Sequence, residues 1–327
     1  MTLKAFLEEW HSPDACLTVH TSGSTGAPKP MMAEKRKMLA SARVTCDFLD
    51  LKPGDTALLC LPLDYIAGKM MVVRSIERHL QLIPVAPSNH PLAGLAGEAP
   101  VFAAMVPSQV FCSLQVPEER DMLRRIRHLI IGGGAISGEL QAAVRQLGSE
   151  GDIWSTYGMT ETLSHIALRR LNGPEACGWY SPFEGVSVSL NADGCLVIDA
   201  PLVHDGVLVT NDIAEIADGR FRILGRRDNV ICSGGLKLQI EEMEERLRPF
   251  LHAPFCITRR RDPKFGEVAV LLLASDEVDD ASLEHAFSHL DRREVPKSVI
   301  RVPAVPMTET GKVSRAEAQK MAESSNS

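Results

Sequence analysis

The 327-residue chain contains no apolar run that approaches the roughly 18 residues a membrane-spanning helix needs. Its first segment, MTLKAFLEEWHSPD, carries acidic residues and a Trp where a secretory signal would need an apolar core before a small-residue cleavage site. We therefore expect no membrane partner, no secretion and a cytoplasmic location.

Paired cysteines and an excess of basic residues are also missing. The eight cysteines are scattered, with no C-x-x-C pair and no histidine at metal-ligand spacing, so we expect reduced thiols packed as small hydrophobic side chains. The formal net charge of −7 disfavours a general nucleic-acid surface, because the nucleic acid would be repelled. A polyanionic ligand would therefore need a localised binding site formed by specific residues.

The first two thirds of the chain do contain short apolar runs that alternate with helical stripes. Segment 139–146 places Leu140 and Val144 on one helical face, with Gly148 as a C-cap. The apolar runs end in Gly, Pro or Ser, which is typical of buried strands in an α/β sheet. These predicted strands are 16–19, 56–61, 81–85, 101–106 and 128–131.

From about Gly194 the pattern changes to hairpins, with two alternating strands around Asp218-Gly219. A second unit begins near Asp228, where helical stripes and buried strands predict a compact α+β domain. The sequence therefore predicts domains at 1–227 and 228–327.

A Gly- and Ser-rich loop, Thr21-Ser-Gly-Ser-Thr-Gly-Ala-Pro-Lys29, directly follows the first predicted strand. Its glycines allow close backbone approach, and its hydroxyls and lysine suit phosphate oxygens, as a triphosphate requires. It is not a Walker loop, because Ala27-Pro28 separates Gly26 from Lys29. The residues expected to bind the triphosphate are Thr21, Ser22, Gly23, Ser24, Thr25, Gly26 and Lys29.

Further motifs follow this loop, and each one alone is compatible with an ordinary turn or a solvated tail. Together they resemble, in the right order, the signature of the adenylate-forming superfamily of acyl-CoA synthetases and related ligases. The resemblance extends from residue 16 to about residue 312. The motifs are Gly132-Gly-Gly-Ala135, Ser155-Thr-Tyr-Gly-Met-Thr-Glu161, Thr210-Asn-Asp212, Gly225-Arg-Arg-Asp228, Ser233-Gly-Gly235 and Pro306-Met-Thr-Glu-Thr-Gly-Lys312.

The resemblance implies an acid–thiol ligase that uses ATP and Mg²⁺ to form an acyl-AMP and then transfers the acyl group to coenzyme A. In the resembling motifs, Tyr157 stacks on the purine, Asp212 holds the ribose hydroxyls and Arg226 lies near the nucleotide. The roles implied for the remaining positions are adenine contact for Gly133, Gly134 and Ala135, α-phosphate binding for Thr160, Mg²⁺ binding for Glu161, a hinge at Asp228, a CoA channel at Gly234 and Gly235, and catalysis by Lys312.

The implied fold is α/β, with a large domain that includes a hairpin region and a small mobile α+β carboxy-terminal domain. Superfamily members carry a sizeable subdomain before the phosphate loop, whereas here that loop begins at Thr21. We expect the large domain to be truncated on its amino-terminal side, with a sheet edge that a homodimer could cover. Asn211 stands where the family usually has Gly, and because asparagine tolerates the left-handed conformation, we expect the turn to be preserved.

The segment 61–74 is similar to that of the o-succinylbenzoate-CoA ligases of menaquinone biosynthesis, although Tyr65 replaces a more usual His. The second carboxylate of such an acid needs a cationic partner, and Lys69 and Arg74 are candidates. A solvated helix face is the competing interpretation of these two cations.

Two alternatives stay open at the level of the sequence. The acid could be another aryl or short-chain carboxylate, or the chain could bind a nucleotide or acyl-AMP without catalysis. Retention of Lys312, Glu161 and Asp212 argues against a pure binding protein, because binding alone would not need all three.

Overall fold

The computed structural model describes residues 1–20, 30–95, 97–308 and 312–325. In these ranges no helix is both long and apolar enough to cross a bilayer. The helices are α1 (Leu3–Trp10), α2 (Lys35–Phe48), α3 (Ile66–Arg78), α4 (Pro107–Gln115), α5 (Pro117–Arg125), α6 (Gly138–Gln146), α7 (Ile240–Leu247), α8 (Asp280–Phe287) and α9 (Arg315–Ser324).

The strands follow the same order along the chain, and single 3-10 turns are formed by Thr160–Thr162 and Arg227–Asn229. The strands are β1 (Cys16–His20), β2 (Pro30–Glu34), β3 (Thr56–Leu59), β4 (Gln81–Pro84), β5 (Phe102–Met105), β6 (His128–Ile131), β7 (Asp152–Gly158), β8 (His165–Arg170), β9 (Ser181–Pro182), β10 (Ser187–Leu190), β11 (Cys195–Asp199), β12 (Val207–Ala217), β13 (Arg220–Arg226), β14 (Val230–Ser233), β15 (Leu236–Gln239), β16 (Phe255–Asp262), β17 (Gly266–Leu273) and β18 (Ser298–Arg301).

A mostly parallel sheet forms the centre of the larger part of the molecule. Its order is β4-β3-β5-β6-β7, followed by the antiparallel strands β8 and β9. All four side chains of β5 are buried, because both faces of the sheet are covered. The expected α/β class is confirmed, and the carboxyl ends of the parallel strands share one edge, where ligands bind in open α/β sheets.

The predicted strand at 16–19 forms, but its expected place in the central sheet is wrong. It is β1, and it pairs antiparallel with β2 in a separate two-stranded sheet. Buried and exposed side chains alternate along β1, which is typical of a strand with one solvated face. The chain after the phosphate loop supplies the partner strand locally, so β1 does not need a place among the parallel strands.

The predicted hairpin around Asp218-Gly219 is confirmed as β12 and β13, which belong to an antiparallel sheet of order β10-β11-β12-β13. Both turn residues have positive φ, 50° at Asp218 and 72° at Gly219. Strand β12 is longer than the predicted 213–216 run, and its register shifts between Ile213 and Ala214. The strand therefore carries residues 210–212 as extended backbone towards the central sheet.

A fourth sheet, of order β15-β14-β17-β16 with β18 parallel to β17, forms the carboxy-terminal region. Helices α7 and α9 pack against β16. Its clusters of buried apolar side chains begin at Ile231, whereas those of the central and hairpin sheets end at Phe221. A domain boundary at 227/228 agrees with this separation of cores and stays a prediction.

An ion pair joins three elements of the carboxy-terminal core. The Arg315 guanidinium at the start of α9 donates to both carboxylate oxygens of Glu244 on α7, at 2.6 and 2.8 Å. Glu244 also accepts from the Ile257 N–H of β16 at 2.7 Å, and Arg315 donates to the Ile257 carbonyl at 2.9 Å. Every contact uses a charged group removed from water, so loss of one partner would leave the other unpaired.

We expect Glu244→Gln to lower the free energy of unfolding by about 3–5 kcal/mol, because Arg315 would keep its buried charge without a carboxylate. Urea denaturation of both proteins measures the difference. Glu242→Gln is the matched control, since its side chain on the same helix is 66% exposed and lies 3.9 Å from Arg246. An equal effect of the two substitutions would contradict this account.

Candidate active site

The turn after β6 places glycine backbone at the edge of the central sheet where the parallel strands end. A Cβ on Gly132 would lie 2.3 Å from the Thr156 hydroxyl, so the approach of β6 to β7 requires glycine here. The next residue, Gly133, has a φ of 79°, a left-handed conformation that favours glycine. Ser137, which departs from a dinucleotide fingerprint, caps α6 by accepting from the Leu140 N–H at 3.2 Å. The expected strand-to-helix turn is therefore present.

Asp212, Tyr157 and Arg226 meet at the same edge. The Tyr157 hydroxyl donates to Asp212 Oδ2 at 2.6 Å, and the Arg226 guanidinium donates to Oδ1 at 2.9 Å. The Tyr157 ring packs edge-on against Phe221, with centroids 5.0 Å apart. Burial, followed by the Asp212 charge, raises the pKa of Tyr157 far above its usual value. The tyrosine is therefore a neutral donor to a largely buried carboxylate.

The segment 225–228 is a connection between sheets whose side chains are paired. Arg226 also donates to Asp228 Oδ2 at 3.0 Å, and the Asn211 amide donates to the same oxygen at 3.2 Å. Asn211 accepts in turn from Arg227 at 2.9 Å. Burial opposes the Arg226 charge, but the Asp228 hydrogen bond and the nearby Asp212 raise its pKa overall.

Asn211 does not adopt the left-handed conformation that asparagine tolerates. The residue lies within β12, and the positive-φ non-glycine residues of the described chain are Asp50, His79, Leu163 and Asp218. Asparagine is useful here for its side-chain amide, which bridges Asp228 and Arg227, rather than for its backbone freedom.

Lys312 reaches this group from the carboxy-terminal region. Its backbone N–H donates to the Thr308 hydroxyl at 3.1 Å, and its carbonyl accepts from the Thr308 N–H at 2.7 Å. Its Cε lies 4.0 Å from where Gly134 would carry a Cβ. Burial and the Arg226 charge lower the pKa of Lys312, while Asp212 opposes them. The structure thus brings the lysine to the turn and carboxylate identified from the sequence.

Thr160 and Glu161 follow β7 in a single 3-10 turn. Thr160 is buried and Glu161 is partly exposed. Among the described residues no three His, Cys, Asp or Glu side chains cluster as a metal site. One carboxylate on this edge nevertheless fits Mg²⁺, because that ion is commonly held by one or two carboxylates together with substrate phosphates.

The turn ends at Leu163, a buried leucine with a φ of 62° and a ψ of −33°. This conformation is strained for a residue with a side chain. The strained residue directly precedes Ser164, whose hydroxyl accepts from Arg74. Glu161, the metal candidate, therefore lies three residues along the chain from the serine that contacts Arg74, the candidate for the acid.

Arg74 and Lys69 are buried, at 2% exposure each, which removes the solvated helix face as an explanation for them. Arg74 donates to Ser164, and its Nε has no hydrogen-bond partner among the described residues. Burial lowers the pKa of Arg74 to about 10, so it remains a cation at neutral pH. Burial, with the Arg74 charge, lowers the pKa of neighbouring His165 well below its usual value, so this histidine is neutral.

The other predicted positions lie apart from this group or outside the described residues. Lys69 Nζ lies 3.6 Å from the Met1 sulfur and over the Phe6 ring, and Tyr65 precedes α3. Gly234 and Gly235, with φ values of 56° and 83°, form the exposed turn between β14 and β15. The predicted phosphate-binding residues at 21–29 lie outside the described residues.

Sequence reasoning missed several side chains that build the site. Tyr180 and Phe221 stack on one another at 5.5 Å and enclose Tyr157. His165 and Ser164 surround Arg74. A period-two pattern marks Phe221 as an inward position of its strand, but nothing local to the sequence indicates which aromatic ring it meets.

The chain belongs to the AMP-binding enzyme family, whose sequence profile matches residues 4–201. It is 28% identical over 321 residues to the 2-succinylbenzoate–CoA ligase of Salmonella typhimurium. The matched region covers 92% of this chain and 67% of that relative. The chain thus spans about two thirds of that relative's length.

Solved structures agree with this assignment. An acyl-CoA synthetase (AMP-forming)/AMP-acid ligase II-like protein from Dyadobacter fermentans is 33% identical, with a TM-score of 0.65 over 97% of this chain and 92% of that chain. The o-succinylbenzoate coenzyme A synthetase of Bacillus subtilis, in complex with ATP and magnesium ion, shares the fold with a TM-score of 0.74 at 20% identity, over 92% of this chain and 69% of that chain. The comparisons confirm the predicted class, an AMP-forming acid–thiol ligase.

The raised pKa of Tyr157 predicts that its phenol stays protonated in the folded chain at pH values where the unfolded chain ionises, near pH 10. Because the folded chain holds this proton more tightly than the unfolded chain, the Tyr157 phenol contributes to the free energy of unfolding. That contribution is complete below about pH 10 and is lost as the pH rises above that value. Phenolate absorbance of the native protein should therefore be unchanged by Tyr157→Phe up to about pH 11. A smaller native amplitude in the variant would contradict the buried Tyr157–Asp212 pair.

Proposed function

We propose that this chain is an ATP-dependent acyl-CoA ligase that converts o-succinylbenzoate to its CoA thioester through an acyl-adenylate. The observation that carries the proposal is the meeting of Tyr157, Asp212, Arg226 and Lys312 at one edge of the central sheet. The similarity to 2-succinylbenzoate–CoA ligases supports the choice of acid.

The nucleotide would lie along this edge. The Tyr157 face suits a purine, and the backbone of Gly133, Gly134 and Ala135 would border the adenine. Asp212 already accepts from Tyr157 and Arg226. A carboxylate offers about four acceptor positions, so Asp212 retains capacity for the two ribose hydroxyls.

In the first half-reaction, an oxygen of the acid's carboxylate attacks the α-phosphorus of ATP, and the bond to pyrophosphate breaks. Such phosphorus chemistry depends on positioning and charge stabilisation. Lys312 would bridge the carboxylate and the α-phosphate, with Thr160 and the 21–29 loop sharing the phosphate charge. Glu161 would hold Mg²⁺, which neutralises phosphate charge when bound.

In the second half-reaction, the CoA sulfur attacks the acyl carbon and the bond to AMP breaks. We propose that the carboxy-terminal domain turns about Asp228 between the two steps. This turn would withdraw Lys312 and bring Gly234 and Gly235 to the acyl group. Both glycines have positive φ and no side chain, which suits a narrow channel for the thiol arm.

Arg74 is the residue that we propose for the second carboxylate of the acid. It is a buried cation that lacks a carboxylate partner within 4 Å in the described ranges, and its Nε is unpaired. Burying a charge without a counter-charge is costly, so a dianionic ligand would supply what the fold leaves out. Arg74 contacts Ser164, which lies four residues after Thr160, and this proximity supports a position for the cation near the reacting end of the acid.

A panel of carboxylic acids, assayed for pyrophosphate release with and without CoA, tests the function. We expect o-succinylbenzoate to stimulate release most strongly and Lys312→Ala to reduce acid-dependent ATP–pyrophosphate exchange by at least about a hundredfold. The same variant should still convert supplied acyl-AMP and CoA to the thioester, because the lysine is withdrawn in that step.

The matched control is Lys320→Ala, since Lys320 is an exposed α9 lysine paired with Glu317 at 3.2 Å. Absence of stimulation by any acid would reject the ligase function, and stimulation by a different acid alone would reject the assigned substrate. Equal loss of both half-reactions in Lys312→Ala would reject the role of the lysine.

Arg74→Leu should raise the KM for o-succinylbenzoate about 10- to 150-fold, because a hydrogen bond to a charged group is worth roughly 1.5–3 kcal/mol. The KM for benzoate, which lacks the succinyl carboxylate, should change little. Steady-state kinetics with both acids measures the ratio.

Arg78→Leu provides the control, because Arg78 lies on the same helix and pairs with Asp47. Its substitution should leave the ratio of the two KM values unchanged. A similar rise for both acids in Arg74→Leu would indicate a purely structural arginine and reject its role in substrate recognition.

A further inference from the structure

Two side chains of the carboxy-terminal region approach the short segment that joins β6 to α6. Lys312 lies beside Gly134, as described above. Four residues further along, a Cβ on Gly138 would lie 2.7 Å from the Glu245 Oε1 atom of α7. The segment therefore carries one contact at the turn and a second at the first residue of the helix.

The Glu245 contact has favourable electrostatics. The amino end of a helix carries a partial positive charge from its unpaired N–H groups, and a carboxylate beside it is stabilised. Gly138 is the first residue of α6, after the Ser137 cap. Gly138 is not among the glycines with positive φ, so alanine could adopt its backbone conformation. Glycine matters here because the absence of a side chain leaves space for the Glu245 carboxylate.

A series of contacts links Glu245 to Lys312. The neighbouring residue on α7, Glu244, holds Arg315 in the bidentate ion pair. Arg315 begins α9, three residues after Lys312. The orientation of α7 on α6 therefore fixes where the start of α9, and with it the lysine, lies over the turn.

From these contacts we infer that Glu245 is a positioning residue for the adenylation step, which docks α7 on the amino end of α6 and so places Lys312 at Gly134. This inference rests on the proposed function and adds a residue to it. Because the contact joins two parts of the molecule that must separate for the second step, it favours the first half-reaction selectively.

The test compares half-reactions in the full chain. Glu245→Ala should lower o-succinylbenzoate-dependent ATP–pyrophosphate exchange about two- to fivefold, the effect of an exposed acid at a helix end. Thioester formation from supplied acyl-AMP and CoA should be unchanged or faster. Gly138→Ala, whose methyl group displaces the carboxylate, should give a similar loss alone and no further loss when combined with Glu245→Ala.

Glu242→Ala serves as the matched control, because it removes another exposed acid from α7, and exchange should keep its wild-type rate. If Glu245→Ala slows both half-reactions equally, or neither, the positioning role is overturned while the ligase function stands. If the wild-type chain shows no acid-dependent exchange, the proposed function fails first and the inference falls with it.

Discussion

The carboxylate of Asp212 joins parts of the chain that are far apart in sequence. It lies on an antiparallel strand, yet its two oxygens bind a tyrosine from the end of the parallel sheet and an arginine from the neighbouring strand. Its charge also acts on Lys312 from the carboxy-terminal region. Because this carboxylate is largely buried, each partner compensates part of its desolvation, and the three structural regions are held around one anionic point.

Glycines near Asp212 also allow separate parts of the chain to approach closely, because they carry no side chain. Gly132 lets β6 approach Thr156, and Gly134 and Gly138 leave space for side chains from the carboxy-terminal region. A methyl group at Gly132 would meet a hydroxyl of the adjoining strand, whereas one at Gly138 would meet only the flexible end of Glu245. Gly132 is thus required for the pairing of β6 with β7, whereas Gly138 leaves space for a contact with the carboxy-terminal region.

Much of this arrangement can be predicted from the sequence, because its signals are local. Continuous apolar runs indicate buried parallel strands, and Asp218-Gly219 indicates a hairpin, as found. The position of β1 could not be predicted in the same way. Its apolar residues fit a strand of the central sheet or of a separate two-stranded sheet, and only the alternation of buried and exposed side chains distinguishes these positions. Asn211 does not use the left-handed conformation that asparagine tolerates, because it lies within β12 between residues that pair with β11 and β13, Val209 and Asp212. The burial of Arg74 beside His165 depends on packing across long sequence separations, which no local pattern encodes.

The strained leucine at 163 has a consequence for how this scaffold can change. Its backbone has a φ of 62° between the turn that carries Thr160 and Glu161 and a serine that accepts a hydrogen bond from a buried arginine. Relaxation of that kink would move both ends at once. Under the proposed function, a lineage that remodels the surroundings of Arg74 through residues 162–165 would therefore also disturb the turn that carries Thr160 and Glu161, so acid specificity and ATP binding would change together.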